Sequence, residues 1–170
     1  MSAGAPDAPA PDAPASEAPA SRVPAPAVTR DLAATVFVAW RGRLLMHRHR
    51  ELGLWLPCGG HVEPHELPDD AAVREVLEES GVHVELVGER ALQVPTPRQL
   101  LRPRGVQLET IRDDHEHIDL IYFGRPIEPY DGRLDGEEEG LGWYDAASLE
   151  RLELTDEVRA WTALALAELA

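Results

Sequence analysis

The stretch Gly60-His-Val-Glu-Pro-His-Glu66-Leu-Pro68-Asp-Asp-Ala-Ala-Val-Arg74-Glu75-Val-Leu-Glu78-Glu79-Ser-Gly81-Val82 decides the reading of this chain. Its second half predicts a helix over about residues 68–80. Pro68 suits the first helical turn, Asp69 and Asp70 complement the positive end of the helix dipole, and Gly81 supplies the stop. On that helix Glu75, Glu78 and Glu79 stand at i, i+3 and i+4, so the three carboxylates share a face. At ~100° per residue they lie roughly opposite Ala72, Val73, Val76 and Leu77, the stripe expected to pack on a core. Like charges at this spacing destabilise a helix unless something offsets them. Two readings stand: a solvated acidic face, or a seat for a hard divalent cation, which takes oxygen ligands. Arg74 adjoins the acids, Glu66 precedes them, and the glycine pair Gly59-Gly60 allows the backbone to approach an ion or a phosphate closely.

Taken in order, the chain has Gly60, five residues, Glu66, seven residues, Arg74-Glu75-Val76, one residue, Glu78-Glu79, one residue and Gly81-Val82. Without a gap, this resembles the signature box of the Nudix hydrolase superfamily. The resemblance implies an α/β/α sandwich with a mixed sheet, in which the box forms a loop, a helix and a loop. It implies hydrolysis of a nucleoside diphosphate linked to another moiety, with Mg²⁺ or Mn²⁺ as cofactor. Carried over to this chain, Glu75, Glu78 and Glu79 are metal ligands together with the carbonyl of Gly59. Arg74 holds a glutamate in place, Glu66 is its partner or an outer ligand, and Gly60 and Gly81 are structural. The general base is Glu75 or an acid of a later loop. Glu75 is favoured, with Glu138 of the run Glu137-Glu138-Glu139 as an auxiliary metal ligand. Where many relatives carry a third glycine this chain has Cys58, expected to be a small buried residue. Pro97, fifteen residues after Val82, resembles a marker of ADP-ribose-cleaving relatives. A nucleoside triphosphate and an ADP-ribose-like compound both remain open as substrate. An intact set of box acids argues against a catalytically silent nucleotide-binding module.

Working outward, Ala34 to Trp40 and Leu44 to Met46 flank the turn Arg41-Gly42-Arg43 and predict a hairpin. Residues 52–67 are expected to be an irregular loop. Short strands are expected at about 82–86, 91–94, 106–111 and 118–123, an acidic loop at 135–140 and an amphipathic helix at about 156–169. Interspersed strands and helices predict an α/β fold in one domain over residues 31–170. Residues 1–30 are Ala- and Pro-rich and hold seven of the 15 prolines. Such a segment buries too little apolar surface to offset its ordering entropy and is expected to be a disordered tail.

The formal net charge of −15 argues against nucleic acid and anionic membranes as partners and leaves a small-molecule nucleotide. All 16 basic residues are Arg, which excludes a Lys nucleophile or a P-loop lysine. The single cysteine, the lack of a signal-like N-terminus and the lack of a run of ~18 apolar residues predict a cytoplasmic protein. Arg48, Arg50 and Arg98 are candidate contacts for substrate phosphates, with Arg102 and Arg104 near the last of these. Trp40 and Trp55 could stack on a base or fill the core. His47, His49, His61 and His65 lack a recognised zinc spacing. His115, Glu116, His117 and Asp119 are placed at a pocket rim or in solvent. A homodimer is left open.

Overall fold

The computed structural model describes residue 1 and residues 28–169. The bulk of the expected tail therefore lies outside the described residues. Its last part does not: Thr29 and Arg30 already belong to strand β1 (Thr29–Trp40).

β1 is the organising strand. It runs parallel to β7 (His115–Pro126), with Thr29 opposite His115 and Val38 opposite Gly124. Its other edge is shared by two partners. β4 (Cys58–His61) pairs antiparallel with residues 33–36, and β2 (Arg43–Arg48) returns antiparallel through Ala39 and Trp40. Arg41 and Gly42 make the hairpin turn with φ of 49° and 72°, the left-handed values that a two-residue turn between twisted strands requires.

The sheet continues through β3 (Trp55–Leu56) and β8 (Glu139–Tyr144), both paired with β2. On the other side, β6 (Gly105–Arg112) and β5 (Val84–Val87) both pair with β7. One parallel contact among antiparallel ones makes the sheet mixed, as expected.

Alternation along β1 separates two cores. Ala34, Val36 and Val38 pack with Ala71, Ala72 and Val76 of α1 (Pro68–Ser80). Phe37 and Ala39 pack with Leu149 of α2 (Ala146–Leu149) and with Val158, Ala165 and Leu169 of α3 (Asp156–Leu169). Successive strand residues face opposite sides, so one sheet buries two helical layers and the result is an α/β/α sandwich.

Four expectations need correction. The loop over residues 52–67 contains β3 and β4, which pair with longer strands although too short to show a period. Residues 91–94 form no strand; only an isolated bridge joins Arg90 to Leu101. The acidic loop ends at Glu138 rather than at Gly140, because Glu139 already begins β8. On α1 the buried face is Asp69, Ala71, Ala72, Val76 and Ser80, while Leu77 is exposed.

Candidate active site

Helix α1 ends as its sequence requires. Gly81 takes φ 73° and donates its amide to the carbonyl of Leu77, an αL cap. Its acidic face turns toward β4, and the two elements fit together through missing side chains. A Cβ on Gly60 would come within 2.5 Å of a Glu75 carboxylate oxygen, and one on Gly59 within 2.7 Å of the Ala34 carbonyl. The Gly59 amide donates to Glu79 Oε2 at 3.1 Å. Gly60 thus admits the Glu75 carboxylate to the strand, while Gly59 lets the strand lie against β1 and offers its amide to Glu79.

Arg74 ties the acids together. Its Nε and Nη2 donate to both oxygens of Glu66 at 2.9 Å each, a bidentate fork that a lysine cannot make. Nη1 donates to Glu75 at 2.7 Å and to Glu78 at 2.9 Å, and Nη2 also reaches the His61 carbonyl at 3.0 Å. These contacts hold the Glu66 carboxyl below its ordinary pKa and the guanidinium far above its own.

Glu79 differs. Burial, reinforced by the charges of Glu75 and Glu138, pushes its pKa up to about 7 despite the Gly59 amide bond.

The later acidic loop is brought to this point by contacts across the chain. The Asp135 amide donates to the Ser80 carbonyl at 3.0 Å, and Gly136 lies so close to the Glu79 carbonyl that a Cβ there would stand 1.8 Å away. Between α1 and this loop sits His47, only 1% exposed. Its Nε2 is 3.6 Å from Glu79 and its Nδ1, which has no hydrogen-bond partner, is 3.9 Å from Glu138. Burial lowers its pKa. Zinc spacing gives no reason to single His47 out among the histidines of the sequence. Strand alternation from the buried Leu45 is the signal that points it toward the α1 layer.

The arginines expected to bind substrate are placed differently. Arg50 approaches Glu138 at 3.8 Å and donates to the Glu137 carbonyl. Arg48 points to the opposite face from His47, as its neighbour in the strand must, and donates to Glu139 at 3.0 Å and to the Gly53 carbonyl at 3.3 Å. With Trp55, Glu139 and Arg151 it lines a depression of about 470 Å³. Arg98 lies 3.7 Å from Asp70, at the start of α1, about 12 Å along the axis from Glu78. Trp40 packs against Tyr130 and Trp143, and Trp55 against Tyr144, so both rings have aromatic neighbours from the protein. Cys58 is fully buried, and burial beside Glu79 pushes its thiol pKa well up.

The donor set fits a hard divalent cation: the carboxylates of one helix face and the backbone of the glycine strand pressed against them offer oxygen ligands. No helix among the described residues is long and apolar enough to cross a membrane.

Comparison with known proteins agrees with this geometry. A family model described as the NUDIX domain matches residues 29–166. A NUDIX-family hydrolase from Clostridium perfringens superposes with a TM-score of 0.73 at 25% identity, over 84% of this chain and 100% of that one. A MutT NUDIX hydrolase from Burkholderia pseudomallei gives a TM-score of 0.54 at 22% identity, over 84% of this chain and 99% of that one. The Ap4A hydrolase of C. elegans gives 0.58 at 15% identity, again over 84% and 99%; these last two show the fold alone. With box, sandwich and family model in agreement, the chain belongs to the NUDIX domain family and is a Nudix hydrolase, a pyrophosphatase acting on phosphoanhydride bonds.

Proposed function

We propose that the protein is a Mg²⁺-dependent pyrophosphohydrolase, with Mn²⁺ as a substitute, acting on a nucleoside diphosphate linked to another moiety. The observation that carries this reading is the interlock of Gly59-Gly60 with Glu75 and Glu79, which gathers the box acids at one edge of the sheet. Glu75, Glu78, Glu79 and the Gly59 carbonyl would hold the cation, with Glu138 as an auxiliary ligand. When bound, the cation neutralises phosphate charge and lowers the pKa of a water that attacks phosphorus.

The chain's own residues supply the rest. Glu75 accepts the proton of the attacking water, and the Arg74 contact at 2.7 Å fixes the carboxylate that does so. Glu66 holds Arg74 from the other side, which makes it a positioning residue. His47 keeps Glu79 and Glu138 on either side of one buried ring, and Arg50, already beside Glu138, is the nearest of the expected arginines to offer charge to a substrate phosphate. The catalytic domain is read as a single one that begins with β1 at Thr29 and works in the cytoplasm on a small molecule.

A product screen tests this. The protein is incubated with Mg²⁺ and a panel of nucleoside triphosphates, ADP-ribose, sugar nucleotides and dinucleotides, beside Glu78→Gln. Metal-dependent cleavage of one class, abolished in the variant, supports the proposal and names the substrate. A folded sample that cleaves nothing with either metal overturns it in favour of a nucleotide-binding module.

A further inference from the structure

A second cluster of ligand groups lies away from the box. Gly60 faces α1, so its neighbour His61 faces the other side of the sheet, where Ala33 is its cross-strand partner. His115 and His117 at the start of β7 share that side, and Asp31 of β1 stands opposite His117 in the register. Three chain segments, distant in sequence, thus bring three imidazoles and a carboxylate together.

The ring nitrogens converge. His117 Nε2 is 3.1 Å from His61 Nε2 and 3.1 Å from His115 Nε2, and one ligand nitrogen from each ring lies within 4.8 Å of the others. Hydrogen bonding alone cannot satisfy this arrangement. An imidazole nitrogen has either one N–H or one in-plane lone pair, so His117 Nε2 cannot bond well in two directions. A cation accepts all three lone pairs at once. With Zn–N bonds of ~2.0–2.1 Å, tetrahedral ligands stand about 3.3 Å apart, close to the two 3.1 Å separations made by His117.

The outer contacts favour the metal-binding tautomer. The Thr29 hydroxyl donates to the Asp114 carbonyl at 3.1 Å, which leaves its oxygen to accept from His115 Nδ1 at 2.9 Å. A proton on Nδ1 leaves the Nε2 lone pair of His115 directed at the cluster, the orienting contact that metal-bound histidines ordinarily have. Asp31 Oδ2 lies 3.6 Å from the same Nε2, within reach of a fourth position.

We propose that His61, His115, His117 and Asp31 bind a zinc-class transition-metal cation, a site separate from the box acids and on the opposite face of the sheet. Nitrogen-rich donors select zinc, cobalt or nickel, whereas the all-oxygen box suits magnesium, so the two sites differ in metal class. A cation held here ties the end of β4 to β7 across β1, and β4 is the strand that carries Gly59 and Gly60.

The test titrates the full chain with Co²⁺ in excess Mg²⁺, which occupies the oxygen ligands of the box. One equivalent is expected, with the visible absorption of a four-coordinate site, and Zn²⁺ should displace it. His61→Ala, an exposed position, and His117→Ala should each weaken binding about 100-fold. Glu78→Gln should leave it unchanged. Circular dichroism of each variant shows that it is folded. The proposal is overturned if no four-coordinate spectrum forms with the parent chain, if a folded His61→Ala binds as before, or if Glu78→Gln abolishes the signal.

Discussion

Replacing Arg74 by Met keeps the aliphatic stem and removes the charge that holds the box together. Arg74 is 29% exposed and its partners Glu66 and Glu75 are 17% and 15% exposed, so these contacts are poorly screened. Hydrogen bonds to charged groups contribute about 1.5–3 kcal/mol each, and the lower value applies to partners that water still reaches. Glu78, at 59% exposed, adds a few tenths at most. Counting the Glu66 fork and the Glu75 contact as one interaction each, the loss is about 3 kcal/mol in a metal-free sample, or about 6–12 °C in Tm for a domain of this size. Denaturant unfolding in chelator measures it. Added Mg²⁺ should recover a good part of the loss, because the variant leaves Glu66, Glu75, Glu78 and Glu79 without their common counter-charge. The turnover of a cleaved substrate should fall about 10–100-fold, the usual cost of losing a contact that orients a metal ligand. A loss below ~0.5 kcal/mol, or one that is the same with chelator as with Mg²⁺, would refute the role of Arg74 as the counter-charge of the cluster.

Three further outcomes are expected. Gly60→Ala meets only the end of the Glu75 side chain and should lower turnover more than stability, whereas Gly59→Ala meets backbone and should cost about 1–3 kcal/mol in unfolding experiments. Asp119, 2% exposed and bonded by the Thr35 hydroxyl at 3.0 Å, has its pKa pushed by burial up to about 7 from 3.8. Its contribution is complete below pH 3.8 and is lost as pH rises through about 7, on the order of 4 kcal/mol in all, so Asp119→Asn should flatten the decline of Tm between those values. Cys58, buried and with a raised thiol pKa, should react with a thiol reagent only on unfolding; rapid labelling of the native protein would contradict that.

The sequence by itself determined helix α1 and the order of its groups. Its cap at Gly81, its first-turn acids and the i, i+3, i+4 spacing of Glu75, Glu78 and Glu79 are local properties, written within a few residues of where they act. The β1–β2 hairpin and α3 were legible for the same reason. The box pattern then carried the sandwich fold with it. Strands β3, β4 and β8 were not legible: β3 is two residues long, and glycines interrupt the apolar pattern of β4 and β8, so these segments become strands only by pairing with a neighbour. Only the tertiary structure decided which distant groups meet. Asp135 bonding to Ser80 sets Glu138 beside His47, and the parallel register of β1 on β7 sets Asp31 beside His117. Such meetings depend on how strands align across the sheet, and alignment is fixed by the packing of both faces together, which no local stretch of sequence contains.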